Sequence, residues 1–180
     1  MEKFRATVFS AVGPWTVEGD HSGVSRIFMP HETAPRATTT SCHLVTHAAR
    51  QLEEYFGGQR RVFDVVLAPP TGTAFQREVW DALRSLAYGE VATYGEVAQL
   101  VARPRAARAV GNANHANPWP IVVPCHRVVA HRGLGGYGGG EDVKKFLLSL
   151  EGIDVDNDLR RRGTAASARF LIPHDEPSEG

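Results

Sequence analysis

The chain has 180 residues, 42% of them hydrophobic and 22% charged, with twenty basic side chains balanced by twenty acidic ones. Those proportions fit one or two globular domains of roughly 100–150 residues and exclude collagen-like, disordered and supercharged chains. No apolar run approaches the ~18 residues of a membrane span, and Met1 to Thr7 lead into no apolar signal core, so a cytoplasmic protein with no membrane partner is expected. Two cysteines, Cys42 and Cys125, cannot build a disulfide scaffold, and no four-ligand zinc spacing accompanies them. The charge is unevenly placed. Between Glu96 and Glu141 there is no acid, while Arg103, Arg105, Arg108, Arg127 and Arg132 all occur, which predicts a positive face on a neutral molecule.

In chain order, Phe4 to Phe9 and Val24 to Met29 read as strands with the Gly13-Pro14 turn between them. Leu44 to Phe56 reads as a helix stopped by Gly57-Gly58, and Val62 to Leu67 as a further strand. Ala68-Pro69-Pro70-Thr71-Gly72-Thr73 interrupts any regular element and is the best internal boundary. The residues before it form a small α+β unit that carries no evident site.

Beyond the boundary the pattern turns helical. Thr73 with Gln76 makes a capping box that opens a helix with Phe75, Val79 and Leu83 on one face. Thr93 with Glu96 makes a second box, with Tyr94 in the first turn of the helix that follows. Pro104 ends that helix and opens the next, from Arg105 to about Asn114, so the two form a helix-turn-helix pattern. Ala106, Ala107, Ala109, Gly111 and Ala113 leave this second helix almost without bulk, with Arg108 its one long projection. Close approach to a groove and tight packing on a neighbouring helix both account for that. The last helix runs from Asp142 to about Leu150, with Val143, Phe146, Leu147 and Leu150 inward. After Ile153 the chain is polar and reads as a loose tail, with Ala168 to Pro173 its only apolar piece.

The segment Ile121-Val122-Val123-Pro124-Cys125-His126-Arg127-Val128-Val129 carries the chemistry. A cysteine after an apolar run is commonly an inert core residue. Here a proline ends the run, a histidine follows the thiol, and a charged arginine comes next, which suits a chain turning towards solvent or a partner. A thiol must lose its proton to attack, and a neighbouring base or cation brings this about. On a strand, His126 would point away from Cys125, so the pair needs a bend or a bridging water. A carboxylate is expected to orient such a histidine.

Over residues 73–152 the chain resembles the O6-alkylguanine-DNA alkyltransferase family, also called methylated-DNA–protein-cysteine methyltransferases. Asn117-Pro118, Pro120 and Pro124-Cys125-His126-Arg127-Val128 are similar to that family's active-site signature, and Ala107-Arg108-Ala109-Val110-Gly111 to its DNA-binding helix. Gly136-Tyr137-Gly138-Gly139-Gly140 and Leu150-Glu151-Gly152 match its substrate loop and carboxylate. The resemblance implies an α+β fold. A small N-terminal domain (1–70) of antiparallel sheet plus helix would precede a mainly helical C-terminal domain (71–152), and a polar tail (153–180) would follow. The C-terminal domain would hold a winged-helix-like helix-turn-helix and a short active-site strand.

The resemblance further implies direct-reversal DNA repair. An alkyl group passes irreversibly from O6-alkylguanine in double-stranded DNA to Cys125, one turnover per molecule, by a monomer needing neither cofactor nor metal. His126 would be the base through a water, Glu151 its orienting group, and Tyr94 a proton donor to N3 of the leaving guanine. Arg108 would fill the gap left by the flipped nucleotide, with Ala107, Ala109 and Gly111 against the minor groove. Asn117 would brace the turn before the active-site strand. The backbone around Cys125, Val128 and Gly138 would bind the base, and Tyr137 would close the pocket. Two departures from the family pattern stand out. Trp119 is bulky where alkyl-group size would be sensed. Cys42, His43 and His47 are the one compact set of metal-ligand types, and no metal is expected there.

Three other functions are compatible with parts of this pattern. An alkyltransferase-like lesion binder would carry another residue in place of Cys125. A thiol hydrolase using Cys125 and His126 would turn over repeatedly. A transcriptional helix-turn-helix protein would need base-reading side chains where this chain has alanine and glycine.

Overall fold

The computed structural model describes residues 2–36 and 41–159. The chain folds as α+β, as the sequence predicts. Strands β1 (Phe4–Ser10), β2 (Gly13–Asp20) and β3 (Gly23–Phe28) form an antiparallel sheet in that order, and α1 (His43–Phe56) packs mainly against β1 and β2. Helices α2 (Ala74–Leu83), α3 (Tyr94–Leu100), α4 (Ala107–His115) and α5 (Glu141–Leu150) make up the other half, with short strands β4 (Ala92–Thr93) and β5 (Val128–Val129) paired in parallel.

The central strand of the sheet, β2, is one the sequence does not predict. Gly13-Pro14 is not a turn between two strands but the start of the central one, paired from Ser10↔Gly13 to Phe4↔Gly19. Proline is tolerated at the first residues of a strand, and Trp15, Thr16 and Val17 then supply strong β-formers that are buried from both sides. Conversely, Val62 to Leu67 is not a strand. It alternates inward and outward, but it meets the sheet only at the Val24↔Leu67 bridge. Gly23 makes that contact possible: its φ is +140°, and a Cβ there would stand 2.7 Å from the Ala68 nitrogen.

Both capping boxes are present. Thr73 Oγ1 accepts from the Gln76 N–H at 3.2 Å while Gln76 Oε1 accepts from the Thr73 N–H at 2.8 Å. Thr93 and Glu96 exchange the same bonds at 3.1 and 2.6 Å. The α4 helix begins two residues later than predicted, since Pro104 sits in the preceding turn, and Ala106 offers no side-chain cap.

One buried cluster runs through both halves, from Trp15, Ile27 and Leu52 to Leu83, Val110 and Leu147. Trp119 ties them directly. Its Nε1 donates to the Val24 carbonyl at 2.8 Å, its ring meets Trp80 edge-on, and the Ile27 N–H donates to the Pro118 carbonyl at 2.8 Å. The inward face of α5 is rotated from the prediction: Val143, Lys144, Leu147 and Leu148 are buried, while Phe146 and Leu150 are only partly so. Leu148 belongs to a second cluster with Val91, Val129, Ile153 and Leu159. The chain just after α5 is therefore packed rather than loose, while Ala168 to Pro173 lies outside the described residues. Among the described residues no helix is long and apolar enough to cross a membrane.

Leu159 separates the packed arrangement from a loose tail. Leu159→Ala should lower unfolding stability by about 2–5 kcal/mol in urea denaturation, the range for a buried leucine. A dangling segment would give a change within about 0.5 kcal/mol.

Candidate active site

Cys125, His126 and Arg127 form a single 3₁₀ turn immediately before β5, not a strand. Pro124 closes the preceding apolar run, and Ile121 within that run has a φ of +74°, a conformation rare for a β-branched residue. The segment is held in place by Asn117, whose Nδ2 donates to the Val123 carbonyl at 2.8 Å and whose Oδ1 accepts from the Trp119 N–H at 3.0 Å. The parallel β4–β5 ladder pairs Ala92 with Val128 and Thr93 with Val129. Since Thr93 also caps α3, the ladder sets Tyr94 beside the cysteine turn. A two-residue ladder thus joins the helix-turn-helix to the thiol.

Cys125 lines a cavity of about 340 Å³ together with Tyr94, Gly111, Asn112, Asn114, His115, Gly136, Tyr137 and Gly138. That size suits a small aromatic ligand. Of the residues singled out from sequence, Cys125, Tyr94, Gly111, Tyr137 and Gly138 meet at this cavity. Asn117 and Val128 lie behind it, and Ala107, Arg108 and Ala109 lie on α4 away from its lining. Trp119 is not in the lining either, so its bulk serves the contact between the two halves rather than the cavity wall. Gly111 could carry a Cβ in ordinary contact with Tyr94 at 3.8 Å, so its missing side chain opens the cavity rather than relieving a clash. Gly139 differs. A Cβ there would stand 2.7 Å from the Tyr137 ring and 2.9 Å from Met29 Sδ.

Behind the cavity lies a buried polar cluster centred on Glu151. Its Oε1 is 2.7 Å from His126 Nε2 and accepts from Tyr55 Oη at 2.7 Å and Arg127 Nη2 at 3.0 Å. Its Oε2 accepts from Arg127 Nε at 2.8 Å and the Gly89 N–H at 3.1 Å. Burial works against the charge on Glu151, and the bonds from His126 and Arg127 outweigh it, holding the carboxyl well below the usual range. An ionised acceptor requires His126 to present its Nε2–H, which leaves Nδ1 as the basic nitrogen, buried and without a hydrogen bond among the described residues. Burial also lowers the His126 pKa, an effect only partly opposed by Glu151, so the ring is neutral at pH 7.

The thiol itself is not pre-ionised. Burial pushes Cys125 up, opposed by the Asn117 amide, the Lys144 ammonium and the Tyr137 hydroxyl. Tyr94 is raised by burial and then by Cys125, so it is a hydrogen donor at neutral pH. Its Oη donates to the Gly136 carbonyl at 3.1 Å. The arrangement is therefore a protonated thiol, a neutral histidine next to it in the chain and a phenol in the same cavity wall.

Several members of this site carry no recognisable signal in the sequence. Arg127 reads as a side chain turning outward, yet it is buried and bidentate to Glu151. Lys144 reads as an ordinary helix residue, yet it is fully buried, with Nζ donating to the Val128 carbonyl at 2.6 Å and the Gly136 carbonyl at 3.0 Å. Burial lowers its pKa to about 8. Tyr55 comes from α1, in the half where the sequence shows no site. The positive face is correspondingly smaller than the sequence predicts: Arg127 is internal and Arg103 pairs with Glu78, leaving Arg105, Arg108 and Arg132 exposed. Cys42 is buried beside His21, and no group of three or more metal-ligand side chains occurs among the described residues.

A family model described as 6-O-methylguanine DNA methyltransferase, DNA binding domain, matches residues 74–153. The chain is 47% identical over 148 residues to a methylated-DNA–protein-cysteine methyltransferase of Methanosarcina acetivorans, covering 79% of this chain and 94% of the relative. It is 44% identical over 157 residues to the protein of that description from Mycobacterium tuberculosis, covering 85% and 94%. Among solved structures, M. tuberculosis O6-methylguanine methyltransferase superposes with a TM-score of 0.74 at 40% identity, over 83% of this chain and 93% of that one. M. tuberculosis OGT in complex with DNA superposes with a TM-score of 0.74 at 44% identity, over 82% and 92%.

Neutralising Glu151 would strand the buried Arg127 charge. Glu151→Gln should lower unfolding stability by about 3–5 kcal/mol at pH 7, the cost of breaking a buried pair. A carboxyl depressed in the folded state stabilises above its unfolded pKa, about 4.3, and that contribution fades as pH falls below it. The gap between wild type and variant should therefore narrow below about pH 4, as read by urea denaturation across pH. A gap unchanged at low pH would mean that Glu151 is not held ionised.

Proposed function

Because the chain belongs to the methylated-DNA–protein-cysteine methyltransferase family, we propose that it repairs DNA by direct reversal, moving the alkyl group of O6-alkylguanine to the sulfur of its own Cys125 once per molecule. The observation that carries this reading is the position of Cys125: in the wall of a base-sized cavity, next to a neutral histidine whose far nitrogen is anchored by a carboxylate. A damaged nucleotide in duplex DNA cannot reach that cavity without leaving the stack, so the reaction requires flipping, which costs a few kcal/mol.

The chemistry balances with the chain's own groups. His126 Nδ1 takes the thiol proton through a bridging water, and the thiolate attacks the alkyl carbon in line. The S–C bond forms as the C–O6 bond breaks, and the electron pair returns to the guanine as its carbonyl. Tyr94 donates a proton to N3, so guanine does not depart as an anion. Net, the alkyl group ends on sulfur and one proton on guanine, once water carries the proton held by His126 back to the Tyr94 phenolate. A thioether has no good leaving group, so each molecule acts once. No metal or cofactor is required by this sequence of steps.

Binding falls to α4. Ala107, Ala109 and Gly111 allow close approach in the minor groove, Arg105 and Arg108 are exposed beside them, and the first amides of the helix have no side-chain cap and are open to a phosphate. Arg108 lies outside the cavity, and its role in this reading is to fill the gap left by the flipped nucleotide. One lesion and one thiol call for no more than a cytoplasmic monomer.

Stoichiometry tests the reaction. With excess duplex carrying a labelled O6-methyl group, label on the protein should stop at one equivalent, and Cys125→Ser should take up none while still binding DNA. Continued release of labelled product would indicate a hydrolase instead. Arg108 is tested by comparing two substrates. Arg108→Ala should slow transfer from duplex DNA by about tenfold to hundredfold, the scale of base unstacking, and hardly change transfer from a free alkylated base. Equal losses on both would remove the gap-filling role.

A further inference from the structure

Asn114 stands on α4 in the wall of the Cys125 cavity, and neither its Nδ2 nor its Oδ1 has a hydrogen bond among the described residues, although both atoms are closed off from solvent. Buried amides are nearly always paired, so an orphaned donor and acceptor on one side chain need a reason. Folding does not supply it. The inward face of α4 is Val110 and Ala113, and the Ala113 carbonyl is already taken by Trp80 Nε1 at 2.8 Å. Helical spacing puts Gly111, three residues earlier, on the same face as Asn114, and both line the cavity.

Resting on the function proposed above, we propose that Asn114 is a specificity-determining residue whose amide hydrogen-bonds the heteroatom edge of the flipped alkylated base. The alkyl group cannot be its partner, because a saturated carbon satisfies neither a donor nor an acceptor. In-line attack also fixes that carbon at Cys125 Sγ, which leaves the ring edge as the polar surface that can face α4. A site built to hydrogen-bond its substrate discriminates sharply against analogues lacking the group, since its own polar atoms are then stranded.

The test compares single-turnover transfer by wild type, Asn114→Leu and Asn114→Ala on three duplexes. These carry O6-methylguanine, the analogue lacking the exocyclic amine (O6-methylhypoxanthine), and the analogue lacking N7 (7-deaza-O6-methylguanine). The leucine variant should melt no lower than wild type, because it removes orphaned polar atoms. It should transfer from O6-methylguanine about tenfold to hundredfold more slowly, the cost of a lost reading contact. That loss should shrink to about twofold on whichever analogue lacks the group that Asn114 touches. If leucine prevents folding, the alanine variant must give the same pattern. An equal loss on all three duplexes, or no loss on any, overturns the proposal. Wild-type transfer separates the two claims: without it the function itself fails, whereas an active wild type with flat selectivity sinks only the role of Asn114.

Discussion

The carboxylate of Glu151 is the constraint on which the rest of the structure depends. It is buried and ionised, so it must be fully hydrogen-bonded, and its five donors come from α1, the turn before β4, and the cysteine turn. Satisfying one charge thereby fixes the relative positions of both halves of the molecule. It also sets the tautomer of His126, which decides that Nδ1 is the free nitrogen. The same carboxylate is thus both a folding element and the group that sets where His126 carries its proton.

A second layer of constraint works on the cavity itself. Lys144 clamps the Val128 carbonyl of β5 to the Gly136 carbonyl, and Tyr94 donates to that same Gly136 carbonyl. Asn117 holds the segment with the left-handed Ile121 in its unusual path. A backbone held in a sparsely populated conformation needs over-determined surroundings, and here those surroundings present the thiol at a 3₁₀ turn. The cavity is therefore shaped in part by Lys144 and Asn117, which do not line it.

What the sequence made legible follows from the range of each interaction. The capping boxes at Thr73 and Thr93 are local, three residues from end to end, and both are found where the pattern puts them. The third strand was hidden because Gly13-Pro14 looks like a turn, and only pairing with β1 shows that Pro14 opens a strand. Arg127, Lys144 and Tyr55 were illegible for a different reason. Their partners are a carboxylate 24 and 96 positions away or bare carbonyls, and no spacing rule encodes those. Cys125 and His126 stood out from the Pro-Cys-His-Arg run itself and Glu151 through resemblance to the family, while the orphaned amide of Asn114 is visible only once α4 is folded against the cavity.

The central claim is that one sulfur of two accepts the alkyl group. Both cysteines are buried, but only Cys125 faces the cavity, with a base beside it. Peptide mass mapping after reaction with a duplex carrying O6-methylguanine tests this most directly. The peptide containing Cys125 should gain one methyl in place of the thiol hydrogen, and the peptide containing Cys42 should be unchanged. An unmodified Cys125 peptide, or a methyl found on Cys42, would contradict the account.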